Sequence, residues 1–244
     1  MNKLQSNENS IIDLREKIKN CTYCINDSTK SLFNIIRENS NRSPRMIGYW
    51  SDAFPNYDAK MMIVGQDWGT LNYLDKFIKD NGNKIPIPYS EKGNPTWDNL
   101  MNFLEGAGFK PYAEHLKNIY LTNAVLCLRN WGKMTGSIPM QYFENCFPFL
   151  KEQIDMIKQP KIIATLGATV FRVLAKKYNI KIRYKTFRDI VVNYKKEDFM
   201  TEEGFYIYPL YHTGGLGLRN RKMAKLPGEP VDDFKRLKEL FETI

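Results

Sequence analysis

The sequence predicts a three-layer α/β/α fold around a central, mainly parallel four-stranded sheet. Three observations predict it. Four apolar runs, Met61–Val64, Ile119–Leu126, Lys161–Leu166 and Phe205–Tyr211, are largely unbroken rather than alternating, as in strands buried on both faces. Helical spacings fill the intervals between them. Strand–helix alternation of this kind builds an α/β domain with helical crossovers.

The helices follow from their apolar stripes. Thr96–Gly108 sets Leu100, Phe103 and Leu104 at helical spacing and stops at a glycine, a common helix terminator. Ile138–Lys158 and Ala168–Tyr178 repeat the pattern, and Val231–Ile244 aligns Phe234, Leu237, Leu240 and Phe241. Asp80–Pro95 holds three prolines and two glycines and reads as a loop. It belongs to the connection leaving the first strand, where parallel folds place their sites. Phe187–Gly204 is expected as an extended, hairpin-like excursion. The 244 residues suffice for one continuous core. The expectation is therefore a single domain over residues 1–244, in which residues 1–50 form a helical segment carrying Cys21 and Cys24.

Hydrophobic residues at 43% and charged residues at 26% suit a globular chain. The formal charge of +9 favours a polyanionic partner, nucleic acid or an acidic surface. The opening MNKLQSNENS has no apolar core, unlike a signal peptide, and no apolar run is long enough to span a bilayer. A cytoplasmic location and a monomeric state are expected. In a reducing compartment, clustered thiols read as metal ligands or redox groups before disulfides.

Three stretches carry chemistry. The strand KMMIVGQDWGT delivers Gly65, Gln66 and Asp67 to its mouth, then Trp68 and Gly69. Taken alone, Asp67 also suits a helix cap. In YLTNAVLCLRN the amide of Asn123 sits inside an apolar strand, where its donors and acceptor need partners from the fold or from a ligand. In YPLYHTGGLGLRNR a strand leads to His212 and a glycine-rich loop carrying Leu216, Leu218, Arg219 and Arg221. The other histidine, His115, lies in a polar stretch and is expected at the surface. No G-x-G-x-x-G follows a strand, which disfavours a Rossmann-type nucleotide binder.

Together these stretches resemble the uracil-DNA glycosylase superfamily, from about Cys21 to the last helix. GQD is similar to the water-activating motif of the best-known members, and LTNAVL to the strand bearing their base-reading asparagine. NPTWDNLMNFL resembles the segment that pinches the DNA backbone, IIATLGATVFRVL the Leu-Gly turn into a helix, and HTGGLGLRNR the histidine motif with its minor-groove loop. The resemblance implies catalytic roles for Asp67 and His212. It implies a base pocket of Gly65, Gln66, Trp68 and Asn123, with Trp68, Tyr89 or Trp97 stacking on the base. It implies DNA contacts by Thr96, Gly167, Thr213, Gly214, Leu216, Arg219 and Arg221, with Leu216 or Leu218 as a wedge.

The four cysteines, Cys21, Cys24, Cys127 and Cys146, are arranged like those of the iron–sulfur branch called family 4. That implies a 4Fe–4S cluster acting as a structural clasp; a four-thiolate zinc site is the alternative. Two departures stand out. Family 4 carries its acid one position earlier, where this chain has Gln66. Trp68 and Thr213 occupy positions where proline is usual. The implied activity is a monofunctional glycosylase acting on uracil in DNA. The alternatives are the same chemistry on another or hypermodified base, and a non-catalytic DNA-binding protein.

Overall fold

Short, mostly apolar runs form the central sheet of the computed structural model. Residues 13–14, 16–18, 20–24, 32–33, 58–67, 69–70, 79, 95–109, 118–129, 138–157 and 161–244 are described. They divide into two compact units.

The larger unit comprises residues 58–66, 91–122 and 158–244. Its sheet has the order β3-β2-β5-β6, with β2 at Met61–Gly65, β3 at Ile119–Asn123, β5 at Ile162–Leu166 and β6 at Tyr206–Leu210. Parallel register pairs Met61 with Ile162 and Val64 with Thr165, then Ile162 with Tyr206 and Leu166 with Leu210. The Lys60 N–H donates to the Asn118 carbonyl at 3.1 Å, so β2 and β3 also begin side by side and run the same way. All four expected strands are present. The second apolar run is shorter than expected, because the backbone bends after Asn123. Every residue of β3 and β5 is buried, and this continuous burial explains the absence of alternation in the sequence.

Helices pack on this sheet by their apolar stripes. The helix α1, Pro95–Gly106, buries Trp97, Leu100, Met101 and Leu104, positions three and four apart that share one face. It packs against the C-terminal helix Pro230–Glu242, where the rings of Phe103 and Phe234 lie 5.5 Å apart. The two backbones approach closely at Gly106, where a Cβ would stand 2.9 Å from a Val231 methyl. Ala168–Lys177 forms a helix over β5 and β6.

Two expectations fail here. Phe187–Gly204 is not an extended excursion: Phe187–Val192 is an α-helix and Lys196–Phe199 a 3₁₀ turn. Thr186 caps the first by accepting from the Asp189 N–H, a side-chain signal that local apolar spacing does not register. The glycine-rich stretch after His212 is not a loop either. Gly215–Met223 is helical.

That helix is fastened to the C-terminal one by a buried ion pair. Arg221 Nε donates to Asp233 Oδ2 at 2.8 Å, with both side chains almost wholly buried. Its remaining N–H groups reach the carbonyls of Pro227, Gly228 and Glu229. The guanidinium thus organises the turn between the two helices.

The other unit comprises residues 1–57, 67–90 and 123–157. Its described part contains a two-stranded antiparallel sheet, β1 at Leu32–Phe33 and β4 at Leu128–Arg129, with Leu32 opposite Arg129. Residues 13–14 and 16–18 are helical. The expected helical segment over residues 1–50 therefore includes a strand as well. Met140–Met156 forms a helix, α2, with Tyr142, Phe143, Cys146, Phe149 and Leu150 on its buried side.

Breaking a buried ion pair by removing one partner leaves an uncompensated charge and costs about 3–5 kcal/mol. Asp233 keeps Arg236 as a second partner, so Arg221→Ala is expected to lower the unfolding free energy by up to about that amount, read as a lower denaturant midpoint in urea. An unchanged midpoint would show that the pair is not structural.

Candidate active site

In the larger unit, β6 ends at Leu210 and the chain turns through His212, Thr213 and Gly214 into the helix beginning at Gly215. Thr213 is fully buried. Its hydroxyl donates to the Thr96 carbonyl at 2.8 Å, and Asn99 Nδ2 donates to the Thr213 carbonyl at 2.9 Å. The histidine turn is thus tied to the first turns of α1. Gly167 lies at φ 102°, a conformation that favours glycine. Its N–H donates to the Leu210 carbonyl at 2.7 Å.

The Gly214 N–H donates to His212 Nδ1 at 3.0 Å. An acceptor role for Nδ1 requires a lone pair there, which places the proton of the neutral ring on Nε2. The backbone therefore selects the tautomer in which Nε2 is a donor. Close packing enforces the turn. A Cβ on Gly217 would stand 2.0 Å from the His212 carbonyl oxygen, and one on Gly214 2.6 Å from the Thr96 hydroxyl.

In the other unit, Asp67 is held by two contacts. Its Oδ1 accepts from the Gly69 N–H at 2.5 Å. Its Oδ2 lies 3.4 Å from Arg129 Nε, with side-chain exposures of 5% and 0%. Sequence reasoning missed Arg129. Its signal was a charged residue in an apolar run two positions after Cys127. Asn123, the last residue of β3, is 2% exposed. Its Nδ2 is buried with no hydrogen-bond partner among the described residues. A buried donor left unmade costs about 1–3 kcal/mol.

The four cysteines also fall in this unit, and none is joined in a disulfide. Cys24, Cys127 and Cys146 are buried, and Cys21 is half-buried. Burial pushes the Cys127 thiol up, reinforced by the fields of Cys146, Cys21 and Cys24. Burial pushes Cys146 up to about 12, opposed by a backbone hydrogen bond at Leu126 and aided by Cys24 and Cys21. The four groups therefore sense one another through space. Among the described residues no three Cys, His, Asp or Glu side chains gather closely enough to hold a single metal ion. Asn145 Nδ2 donates to Cys24 Sγ at 3.2 Å.

The family whose description matches residues 52–235 is the uracil DNA glycosylase superfamily. The chain belongs to that superfamily. No curated protein matches it. Superfamily members are DNA glycosylases, so the family-level activity is cleavage of base from DNA and the substrate class is DNA. The matched span contains Cys127 and Cys146 and excludes Cys21 and Cys24. No helix among the described residues is long and apolar enough to cross a membrane.

Several expected site residues of this superfamily member are engaged within the fold. Trp97, at 5% exposure, belongs to the core stripe of α1; that is the placement of a packing residue, not of a ring offered to a base. Thr213 spends its hydroxyl inside the fold. Arg221 has its guanidinium committed to Asp233 and three carbonyls, which leaves no fork for a phosphate. Leu216 is 45% exposed on its helix, and Arg219 is exposed too. Gly65 and Gln66, at the end of β2, are partly exposed. Trp68, Tyr89 and His115, with residues 80–94 of the expected loop, lie outside the described residues.

Gly217→Ala should disrupt the histidine turn, since a methyl cannot share space with a carbonyl oxygen. Loss of base release on the order of a hundredfold is expected, measured in single-turnover cleavage. Gly215→Ala, where a Cβ meets nothing within 4 Å, is the control and should retain its rate.

Proposed function

We propose that this chain is a monofunctional DNA glycosylase that everts a nucleotide and hydrolyses its N-glycosidic bond, with uracil as the base. The observation that carries the reading is the Asn123 amide, buried at the end of a sheet strand with no acceptor for its Nδ2 among the described residues. An everted uracil supplies an acceptor at O4 for Nδ2 and a donor at N3 for Oδ1. Cytosine presents the opposite pattern at those atoms, and mismatched buried polar groups are what make such sites selective.

Eversion costs a few kcal/mol of unstacking and unpairing. Basic side chains, Arg219 among them, offset this by neutralising phosphates, a contribution that weakens with salt. Leu216, exposed on the helix after the histidine turn, is the apolar side chain suited to fill the vacated stack. Thr96, Gly167 and Gly214 shape the backbone along that turn, and the DNA backbone runs past them.

When the bond between sugar and base breaks, positive charge grows on the sugar and negative charge on the base. Asp67 stabilises the sugar cation and orients the water that attacks it. His212 donates from Nε2–H to the base O2, the donor that the Gly214 N–H selects by occupying Nδ1. Donors preset toward developing charge supply much of an enzyme's acceleration. The sequence has no lysine at the water position, so no β-lyase step follows.

Cys21, Cys24, Cys127 and Cys146 would hold the metal group. Their freedom from disulfides and mutual electrostatic influence support a four-thiolate site. A single zinc ion draws four sulfurs to one point, whereas a 4Fe–4S cluster places each thiolate on a separate iron. Bound, the cluster supplies a crosslink between the N-terminal cysteines and the segment after Asn123. Because burial keeps the Cys127 and Cys146 thiols protonated, loading must release protons.

A second reading keeps the chemistry and changes the base, favoured by Trp68 and Thr213 standing where prolines are usual. Release of free base from single- and double-stranded oligonucleotides, each carrying one altered base, separates the two. Uracil release supports the first reading; release of a different base alone supports the second; no release at all removes both. His212→Ala is expected to slow turnover about 10²–10³-fold. Asp67→Asn should slow it on the order of a hundredfold or more, with DNA affinity kept in both. Asn123→Asp should alter the base profile, and an unaltered profile would make Asn123 structural. Chemical assay should find iron and acid-labile sulfide in equal amounts, falling together in Cys127→Ser; zinc without sulfide would decide for the alternative.

A further inference from the structure

Arginine is seldom fully buried, yet the side chain of Arg129 has no exposed surface. Taking a guanidinium out of water is unfavourable unless an opposite charge compensates it, and an apolar residue of similar volume would fill the space at lower cost. A charge kept at such a position has an electrostatic purpose or an orienting one. The carboxylate beside it is Asp67, whose Oδ2 stands 3.4 Å from Arg129 Nε.

The backbone reinforces the pairing. The Arg129 N–H donates to the Gly69 carbonyl at 3.0 Å, and Thr70 forms a bridge with Arg129. Arg129 itself is held in β4, opposite Leu32. The turn that carries Asp67 is thus fastened to the strand that carries Arg129. Within that turn the Gly69 N–H takes one carboxylate oxygen, while the guanidinium faces the other. At 3.4 Å the ion pair is longer than the charge-assisted hydrogen bond's usual range of about 2.7–2.9 Å, so it orients Asp67 by Coulomb attraction.

We infer that Arg129 is a positioning residue for base release: its buried guanidinium holds the Asp67 carboxylate in one orientation before substrate arrives. The inference rests on the reading of Asp67 as the group that faces the sugar. It adds that the carboxylate is aimed by a second charge from β4 and not by its own turn alone. Fixing a catalytic group in advance removes reorganisation from the chemical step.

A double-mutant cycle tests this. Single-turnover base release and DNA affinity are measured for the parent, Arg129→Gln, Asp67→Asn and the double variant. Arg129→Gln should slow release about tenfold to a hundredfold with DNA affinity unchanged. In the Asp67→Asn background the same change should have almost no effect, because the group it positions is already disabled. Equal slowing in both backgrounds overturns the inference, as does a folded Arg129→Gln that cleaves at the parent rate. Should Arg129→Gln fail to fold, Arg129→Lys, which keeps the charge but loses the planar fork, is read in the same cycle by the same criteria. If Asp67→Asn alone cleaves at the parent rate, the reading of Asp67 fails instead.

Discussion

Parallel pairing of four strands is the constraint on which the rest of this structure depends. Strands that start side by side and run the same way must also end on one edge, so Gly65, Asn123, Leu166 and Leu210 all close their strands there. Ligand sites in open α/β sheets gather at that edge because loops are free to vary while the strands beneath stay rigid. Asp67 stands two positions after β2, Asn123 is the last residue of β3, and His212 stands two positions after β6.

Polar groups in the interior divide into those with partners among the described residues and those without. Thr213, Asn99 and Arg221 are satisfied: each bonds backbone carbonyls and fixes a turn or a helix start. The Asn123 amide is different, with a buried Nδ2 and no protein acceptor among the described residues. His212 shows both behaviours in one ring. The fold fills Nδ1, and that choice sets Nε2 as the donor. Such asymmetry separates scaffold from function more clearly than residue type does.

Legibility in the sequence varied with the range of the interactions involved. The strands of the sheet and the helices at Pro95–Gly106 and Pro230–Glu242 were readable, since their apolar residues repeat at the period of the element and are buried as that period demands. Phe187–Val192 was not, because a threonine cap and contacts such as the one between the rings of Phe171 and Phe187, 5.9 Å apart, stabilise it. The helix Gly215–Met223 was disguised by its glycines. They are tolerated because Gly217 packs against the His212 backbone, where no side chain fits.

What the sequence determined by itself is the parallel α/β class, the superfamily match, and an acid, an amide, an imidazole and four thiols as the candidates for chemistry. These depend on local period and residue type, which one chain reading contains. Only the tertiary structure decided that Arg221 is a clamp, that Trp97 is core, that Arg129 faces Asp67 and that His212 accepts at Nδ1. The physical reason is that a side chain's role depends on which partners and how much water surround it. Those are set by residues distant in the chain, such as Asp233 for Arg221 and Arg129 for Asp67.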